Sequence, residues 1–316
     1  MQKSSKPLPQ HITDFLDWLD VEKGLAPKSQ ENYARFLSRF ITWLKVSKLY
    51  SLKPHELSPD HIWNYRVYLS RHYKPRTGKP LTKSTQNYYL IALRSLLNYF
   101  AERDILSIPA EKIKLARDKG DRQVRFLTLG QLRKLFSAPN IQTKMGLRDR
   151  AILEILFSTG MRISELTGLN KEQIKFPPEN AEFELGIIGK GGRARTVYFS
   201  PRALGWLKKY LETRTDEEKP LFINYKKRNG TTSRLTPRSI EKAVNKYALY
   251  AGLPKNTTPH VLRHSFATDL LSQGVDLRTI QEFLGHKSIT ATQIYAHVTS
   301  KKLKEIHSKF HSGERL

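Results

Sequence analysis

Ten histidines occur in the chain, and none lies between His72 and His260, after which His260, His264, His286 and His297 follow in quick succession. In Thr258-Pro259-His260-Val261-Leu262-Arg263-His264, a capping threonine and a first-turn proline predict the start of a helix. His260 and Arg263, three apart, then share one face near the positive helix end, an arrangement that suits an anion. A metal pair of His260 and His264 is disfavoured, since no glutamate follows His260 and Arg263 stands between them. Arg162 opens another predicted helix after Ser158-Thr159-Gly160-Met161. Lys190, in Gly189-Lys190-Gly191-Gly192, sits at a predicted hairpin tip. No Ser or Thr follows it and no helix begins there, so a nucleotide-binding P-loop is disfavoured. The absence of cysteine excludes a disulfide scaffold, a Cys-ligated zinc site and a thiol nucleophile. Covalent chemistry falls to Ser, Thr, Tyr, Lys, His or a carboxylate, and Tyr295 is one of 14 tyrosines.

The elements that must position these residues carry a large positive charge. The 316 residues hold 55 Lys and Arg against 29 Asp and Glu, a net +26, and the expected partner of such a surplus is a polyanion, first of all nucleic acid. With 39% hydrophobic residues, 14 Phe and 4 Trp the chain has enough to bury a core, and its length predicts two domains. The charge divides as 20 basic and 11 acidic residues in 1–118 and 35 and 18 in 119–316, net +9 and +17. Met1 to Gln10 lacks the apolar run of a signal peptide, and no stretch is apolar enough to span a bilayer. A cytoplasmic, nucleoid-associated protein without membrane contact is the expectation.

In the first part Tyr33, Phe36, Leu37, Phe40, Ile41 and Leu44, then Tyr89, Leu93, Leu96, Leu97 and Phe100, keep helical spacing. With weaker patterns at His11–Glu22 and Pro59–Tyr73 they predict a four-helix unit over 1–110. Lys28, Arg35, Arg39 and Lys45 lie off the apolar stripe of the second helix, and Lys83 and Arg94 off that of the fourth. Residues 111–125, with Lys112 and Lys114 among six basic side chains, read as a basic linker. In 126–316, Thr128-Leu129-Gly130-Gln131 has capping-box spacing, and Leu147–Ser158 is an apolar helix ending at Gly160. Phe183–Ile188 and Ala194–Phe199 flank the glycine-rich turn as a β-hairpin. Pro201–Glu212, Pro237–Ala251, Pro259–Gln273, Asp276–Leu284 and Ile289–Val298 are further predicted helices. The expected fold is mainly α with a small β-sheet.

Five stretches taken together resemble the tyrosine recombinase (phage integrase) family, most closely its Xer-type members. They are Arg148-Asp149-Arg150-Ala151-Ile152-Leu153-Glu154 leading to Thr159-Gly160-Met161-Arg162-Ile163-Ser164-Glu165-Leu166, then Gly189-Lys190-Gly191-Gly192-Arg193, His260-Val261-Leu262-Arg263-His264, Leu284-Gly285-His286 and Ile294-Tyr295-Ala296-His297-Val298. The resemblance covers nearly the whole chain and implies a SAM-like core-binding domain followed by an α+β catalytic domain. It maps the family's six catalytic positions onto Arg162, Lys190, His260, Arg263, His286 and Tyr295, each of the expected type.

The implied chemistry is DNA cleavage and rejoining through a 3′-phosphotyrosyl link to Tyr295 and a Holliday junction, without metal or other cofactor. Ionising a phenol of pKa about 10 at pH 7 costs roughly 4 kcal/mol, which a base such as His260 offsets. Arg162 and Arg263 offer planar, permanently charged forks to the phosphate oxygens, His286 a further hydrogen bond, and Lys190 a proton for the leaving 5′ oxygen. His264, His297 and Glu165 are expected to be structural, Glu165 pairing locally within its helix. The implied partners are a double-stranded recombination site, a homotetramer or a heterotetramer with a second recombinase, and a septal DNA translocase as activator. The tail 301–316, with Leu303, Ile306 and Phe310, is expected to dock on a neighbouring subunit. Chromosome-dimer resolution is the leading role. Integration or excision of a mobile element and type IB topoisomerase-like nicking and closing are the alternatives. Lys28, Arg35, Arg39, Lys83, Arg94, Lys112 and Lys114 are the candidate DNA contacts.

Overall fold

The computed structural model describes residues 1–75, 78–116, 125–178, 183–189, 192, 194–228 and 231–285. The chain separates into two compact units, 1–121 and 122–316.

The first unit is built from α1 (His11–Val21), α2 (Pro27–Val46), α3 (Pro59–Val67) and α4 (Lys83–Glu102), with α3 running on into a π-helical turn, Tyr68–His72. Proline stands in the first turn of α2 and α3, where its missing N–H costs nothing, and the Ser58 and Thr82 hydroxyls accept from the His61 and Thr85 amides at the starts of α3 and α4. The apolar stripes converge on Phe15, Trp18, Phe40, Trp43, Tyr65 and Phe100, all buried. Phe40 and Tyr65 meet edge to face at 5.0 Å between centroids.

The second unit begins with α5 (Leu129–Ser137), opened by the predicted capping box: the Thr128 amide donates to Gln131 Oε1 at 2.9 Å and the Gln131 amide to Thr128 Oγ1 at 3.3 Å. At its centre lies α6 (Lys144–Thr159), packed by α8 (Pro201–Glu212), α9 (Pro237–Tyr250) and α10 (Pro259–Ser272). Arg148, Asp149, Arg150 and Glu154 of α6 are all buried, so they must be paired inside the protein. Arg148 donates to Asp149 Oδ1 at 2.8 and 2.6 Å, and the Tyr247 hydroxyl donates to Asp149 Oδ2 at 2.8 Å. Arg150 and Arg202 share Glu154.

Strands β1 (Phe183–Ile188) and β2 (Ala194–Phe199) pair antiparallel, with Phe183 opposite Phe199, Leu185 opposite Val197 and Ile187 opposite Arg195. A second antiparallel pair, β3 (Ile223–Arg228) with β4 (Thr231–Arg234), has no counterpart in the sequence reading, because a basic run replaces the apolar alternation that marks a strand. Two short helices, α7 (Ile163–Gly168) and α11 (Leu277–Leu284), complete the described unit. The predicted helix Ile289–Val298 and tail 301–316 lie outside the described residues. Among the described residues no helix is long and apolar enough to cross a membrane.

Candidate active site

Helix α6 ends at Gly160, whose φ of +57° is the left-handed conformation that glycine adopts without strain. A Cβ there would also lie 2.5 Å from the Phe266 ring, so the close approach of α10 demands glycine a second time. The turn delivers Arg162 to the N-cap of α7. Its backbone amide donates to Glu165 Oε2 at 2.7 Å, and its Nη1 donates to Glu165 Oε1 at 3.0 Å. Its side chain remains 26% exposed.

Arg263, one turn into α10, is 3% exposed. Its Nη1 donates to the Gly160 carbonyl at 2.6 Å and its Nη2 to the Leu284 carbonyl at 2.5 Å. These bonds fix the plane of the guanidinium and tie the ends of α6 and α11 together. Arg162 Nη2 donates to the Gly285 carbonyl at 3.1 Å, and Arg195 Nε, from β2, to the Phe283 carbonyl at 3.2 Å. Three guanidiniums thus meet three successive carbonyls at the negative end of α11, a favourable placement for cations. Arg162 thus holds Gly285, the residue that precedes His286 in the sequence.

Arg195 also closes a two-pronged contact on Glu165, Nη1 to Oε1 at 2.9 Å and Nη2 to Oε2 at 2.7 Å. Burial alone would raise the Glu165 pKa, but the hydrogen bonds from Arg195 and from the Arg162 backbone and side chain outweigh it and hold the carboxyl at about 2. Glu165, expected to pair locally within its helix, pairs with Arg162 at the N-cap of that helix. The partner not identified from sequence is Arg195, thirty residues away. Its signal lay in the alternation of β2, where Arg195 falls on the face of the buried Val197 and Phe199, an inward position that a charge occupies only with a partner.

His260 is exposed, one turn before Arg263, and its ring stands edge-on to His264 with centroids 5.3 Å apart. Desolvation by the surrounding protein, then the charges of Arg263 and Arg162, lower its pKa below the usual histidine value, favouring the neutral, proton-accepting ring at pH 7. His264 is half-buried and is pushed down to about 4 by desolvation, with His260 and Arg263 adding to it. Of the six candidate catalytic residues, Arg162 and Arg263 are brought to one helix end and His260 lies within the influence of both. Lys190, His286 and Tyr295 lie outside the described residues.

The seven candidate DNA contacts divide. Lys28, Lys83, Lys112 and Lys114 are exposed, Lys28 pairing with Glu31. Arg35 is exposed and donates to Asn32 Oδ1 at 3.0 Å, while Arg94 is half-buried. Arg39 differs: its guanidinium lies 4.1 Å from the centre of the Tyr73 ring, with Nε buried, so part of its charge is directed inward. The basic residues of 117–124 lie outside the described residues.

Residues 125–302 match the Phage integrase family, and residues 12–107 match its N-terminal SAM-like domain. Tyrosine recombinase XerC of Pelobacter propionicus is 35% identical, over 98% of this chain and 98% of its own. Tyrosine recombinase XerD of Lacticaseibacillus casei is 33% identical, over 95% and 98%. Among solved structures, a post-cleavage complex of the XerH site-specific recombinase with a palindromic difH substrate superposes with TM-score 0.70 at 25% identity, covering 98% of this chain and 91% of that one. The Tn1549 transposon integrase shares the fold, TM-score 0.70 at 20% identity over 94% and 98%. With both domains matched and relatives aligned along nearly their full length, the chain belongs to the phage integrase family and is a site-specific tyrosine recombinase of the Xer type.

Proposed function

We propose that the chain cleaves and rejoins a double-stranded recombination site through Tyr295. In the forward step the Tyr295 oxygen forms a bond to the scissile phosphorus and the bond from phosphorus to the 5′ oxygen breaks. His260 takes the phenol proton and Lys190 gives a proton to the departing 5′ oxygen. Arg162, Arg263 and His286 hold the non-bridging oxygens as charge builds on them. The energy of the broken ester is kept in the protein–DNA link, so rejoining needs no nucleotide or metal. The observation that carries this reading is the meeting of Arg162 and Arg263 at the end of α11, directly before His286.

Residues 1–110 act as a core-binding domain, 111–125 as the linker and 126–316 as the catalytic domain. Exposed Lys28, Arg35, Lys83, Lys112 and Lys114 give that assembly sequence-independent grip on phosphates. Four chains, alone or with a second recombinase, exchange strands through a Holliday junction to resolve chromosome dimers in the cytoplasm, with a septal translocase as activator. The support for this role is the near full-length likeness to proteins named XerC and XerD. The tail 301–316 docks on a neighbouring subunit. Its deletion is expected to impair strand exchange more than DNA binding.

A nicked suicide duplex carrying the recombination site tests the chemistry. Wild type is expected to accumulate a covalent adduct that Tyr295→Phe does not form, and absence of an adduct from wild type on its own site overturns the proposal.

A further inference from the structure

Arg195, like Arg148 and Arg263, is a basic residue turned into the protein. Its side chain is 9% exposed, and each of its three guanidinium nitrogens already has an acceptor within the protein. It therefore faces away from solvent-borne phosphates. What it shares is Glu165: Oε1 accepts from both Arg162 Nη1 and Arg195 Nη1, and Oε2 accepts from both the Arg162 amide and Arg195 Nη2.

We infer that Arg195 is a positioning residue, which by sharing Glu165 with Arg162 and holding the Phe283 carbonyl keeps the Arg162 guanidinium aimed at the scissile phosphate.

Two physical consequences follow from the sharing. Glu165 alone beside Arg162 would make a neutral pair, and its carboxylate could turn to take the whole Arg162 fork. With Arg195 present the three groups sum to one positive charge, and neither carboxylate oxygen is available for a second bond to the Arg162 side chain. In addition, Arg195 stands on the hairpin whose turn carries Lys190, opposite Ile187 in the register. Docking of that hairpin and alignment of Arg162 are thus one event, joined through a single buried side chain. The Gly285 turn completes the fit, since a Cβ there would lie 2.8 Å from Arg195 Cδ.

Arg195 acts here through Arg162 and so rests on the phosphate role proposed for that residue. The full-length protein is tested on a nicked duplex bearing the inverted-repeat site that wild type selects from random-sequence DNA. One version carries an ordinary scissile phosphate and the other a neutral methylphosphonate. Single-turnover adduct formation at saturating protein is the readout, with gel-shift affinity measured alongside. R195Q is expected to slow adduct formation about 10- to 100-fold on the phosphate with affinity within about twofold of wild type. On the methylphosphonate, where the oxygen charge that Arg162 must meet is gone, the deficits of R195Q and of R162A should both shrink to a few-fold. A deficit of R195Q that is equally large on both substrates overturns the inference in favour of plain fastening of the hairpin, and no deficit on the phosphate overturns it outright. Undiminished cleavage of the phosphate by R162A would instead overturn the phosphate role of Arg162. If R195Q does not fold, R195K, which keeps the charge but loses the planar fork, carries the same comparison.

Discussion

Arg263 Nη1 lies 2.6 Å from the carbonyl oxygen of Gly160, two residues before Arg162. One arginine of the pair thus holds the turn that presents the other, while its second terminal nitrogen holds Leu284, two residues before His286. The arginines form one framework in which each helix end supports the next.

Arg263→Lys keeps the charge but loses the planar fork that spans two carbonyls. It is expected to destabilise the second unit by about 1–3 kcal/mol, since buried acceptors lose their donor. Adduct formation should fall more than 100-fold, with DNA affinity nearly unchanged. Thermal unfolding and suicide-substrate kinetics check the two parts, and a variant cleaving at the wild-type rate would refute the framework.

Gly160→Ala and Gly285→Ala both place a Cβ on a left-handed turn, a strain of about 1–2 kcal/mol. They differ in what the Cβ strikes: the Phe266 ring at 2.5 Å and Leu284 at 3.2 Å for Gly160, the flexible Arg195 side chain at 2.8 Å for Gly285. Gly160→Ala should therefore lower the melting temperature more, whereas Gly285→Ala should harm cleavage more for each degree lost.

His264 supplies a pH dependence with a definite sign. Its folded pKa of about 4 lies below the ordinary 6.5, so the unfolded chain takes up the proton first as pH falls. The stability tied to its neutral ring is present above pH 6.5 and is lost between 6.5 and about 4. His264→Gln should flatten the melting-temperature profile in that window. His260, also lowered, places the acid limb of the cleavage profile below pH 6.5, and Arg162→Ala should shift that limb upward by removing a neighbouring positive charge.

Glu165, held at about 2, works in the same direction at lower pH, its contribution being present above 4.5 and lost as pH falls toward 2. Glu165→Gln leaves two arginines beside an uncharged amide and is expected to cost about 3 kcal/mol at pH 7. Chemical denaturation at pH 7 and pH 3 should reveal a smaller penalty at the lower pH.

If about ten phosphates are neutralised on the site, log affinity should fall against log salt with a slope near −9. Lys112→Ala should reduce that slope by about 1. Arg39→Ala should change it less and instead lower the melting temperature of the first unit, because its guanidinium rests on Tyr73. Titrations at several salt concentrations distinguish the two.

Local rules written into the sequence determined much of this protein. Apolar spacing, the Thr128 to Gln131 capping box, proline in first turns and the glycine-rich reversal defined the helices and the first hairpin, because each depends on neighbours in the chain. The residue types and spacing of His260 and Arg263 likewise pointed to an anion-binding face before any fold was known, whereas Arg162 was singled out only by the family resemblance. The second hairpin escaped, since Lys226, Lys227 and Arg228 break the expected alternation and its pairing rests on backbone hydrogen bonds. The tertiary structure decided which charges are inside. The apolar helix over Leu147–Ser158 was legible, but the partners that Arg148, Asp149, Arg150 and Glu154 need inside it were not, and the alternation of β2 turns Arg195 inward without saying which carboxylate it meets. Pairing across thirty residues, as between Glu165 and Arg195, or across more than a hundred, as between Arg162 and Gly285, is set by packing of the whole unit and leaves no spacing in the sequence to reveal it.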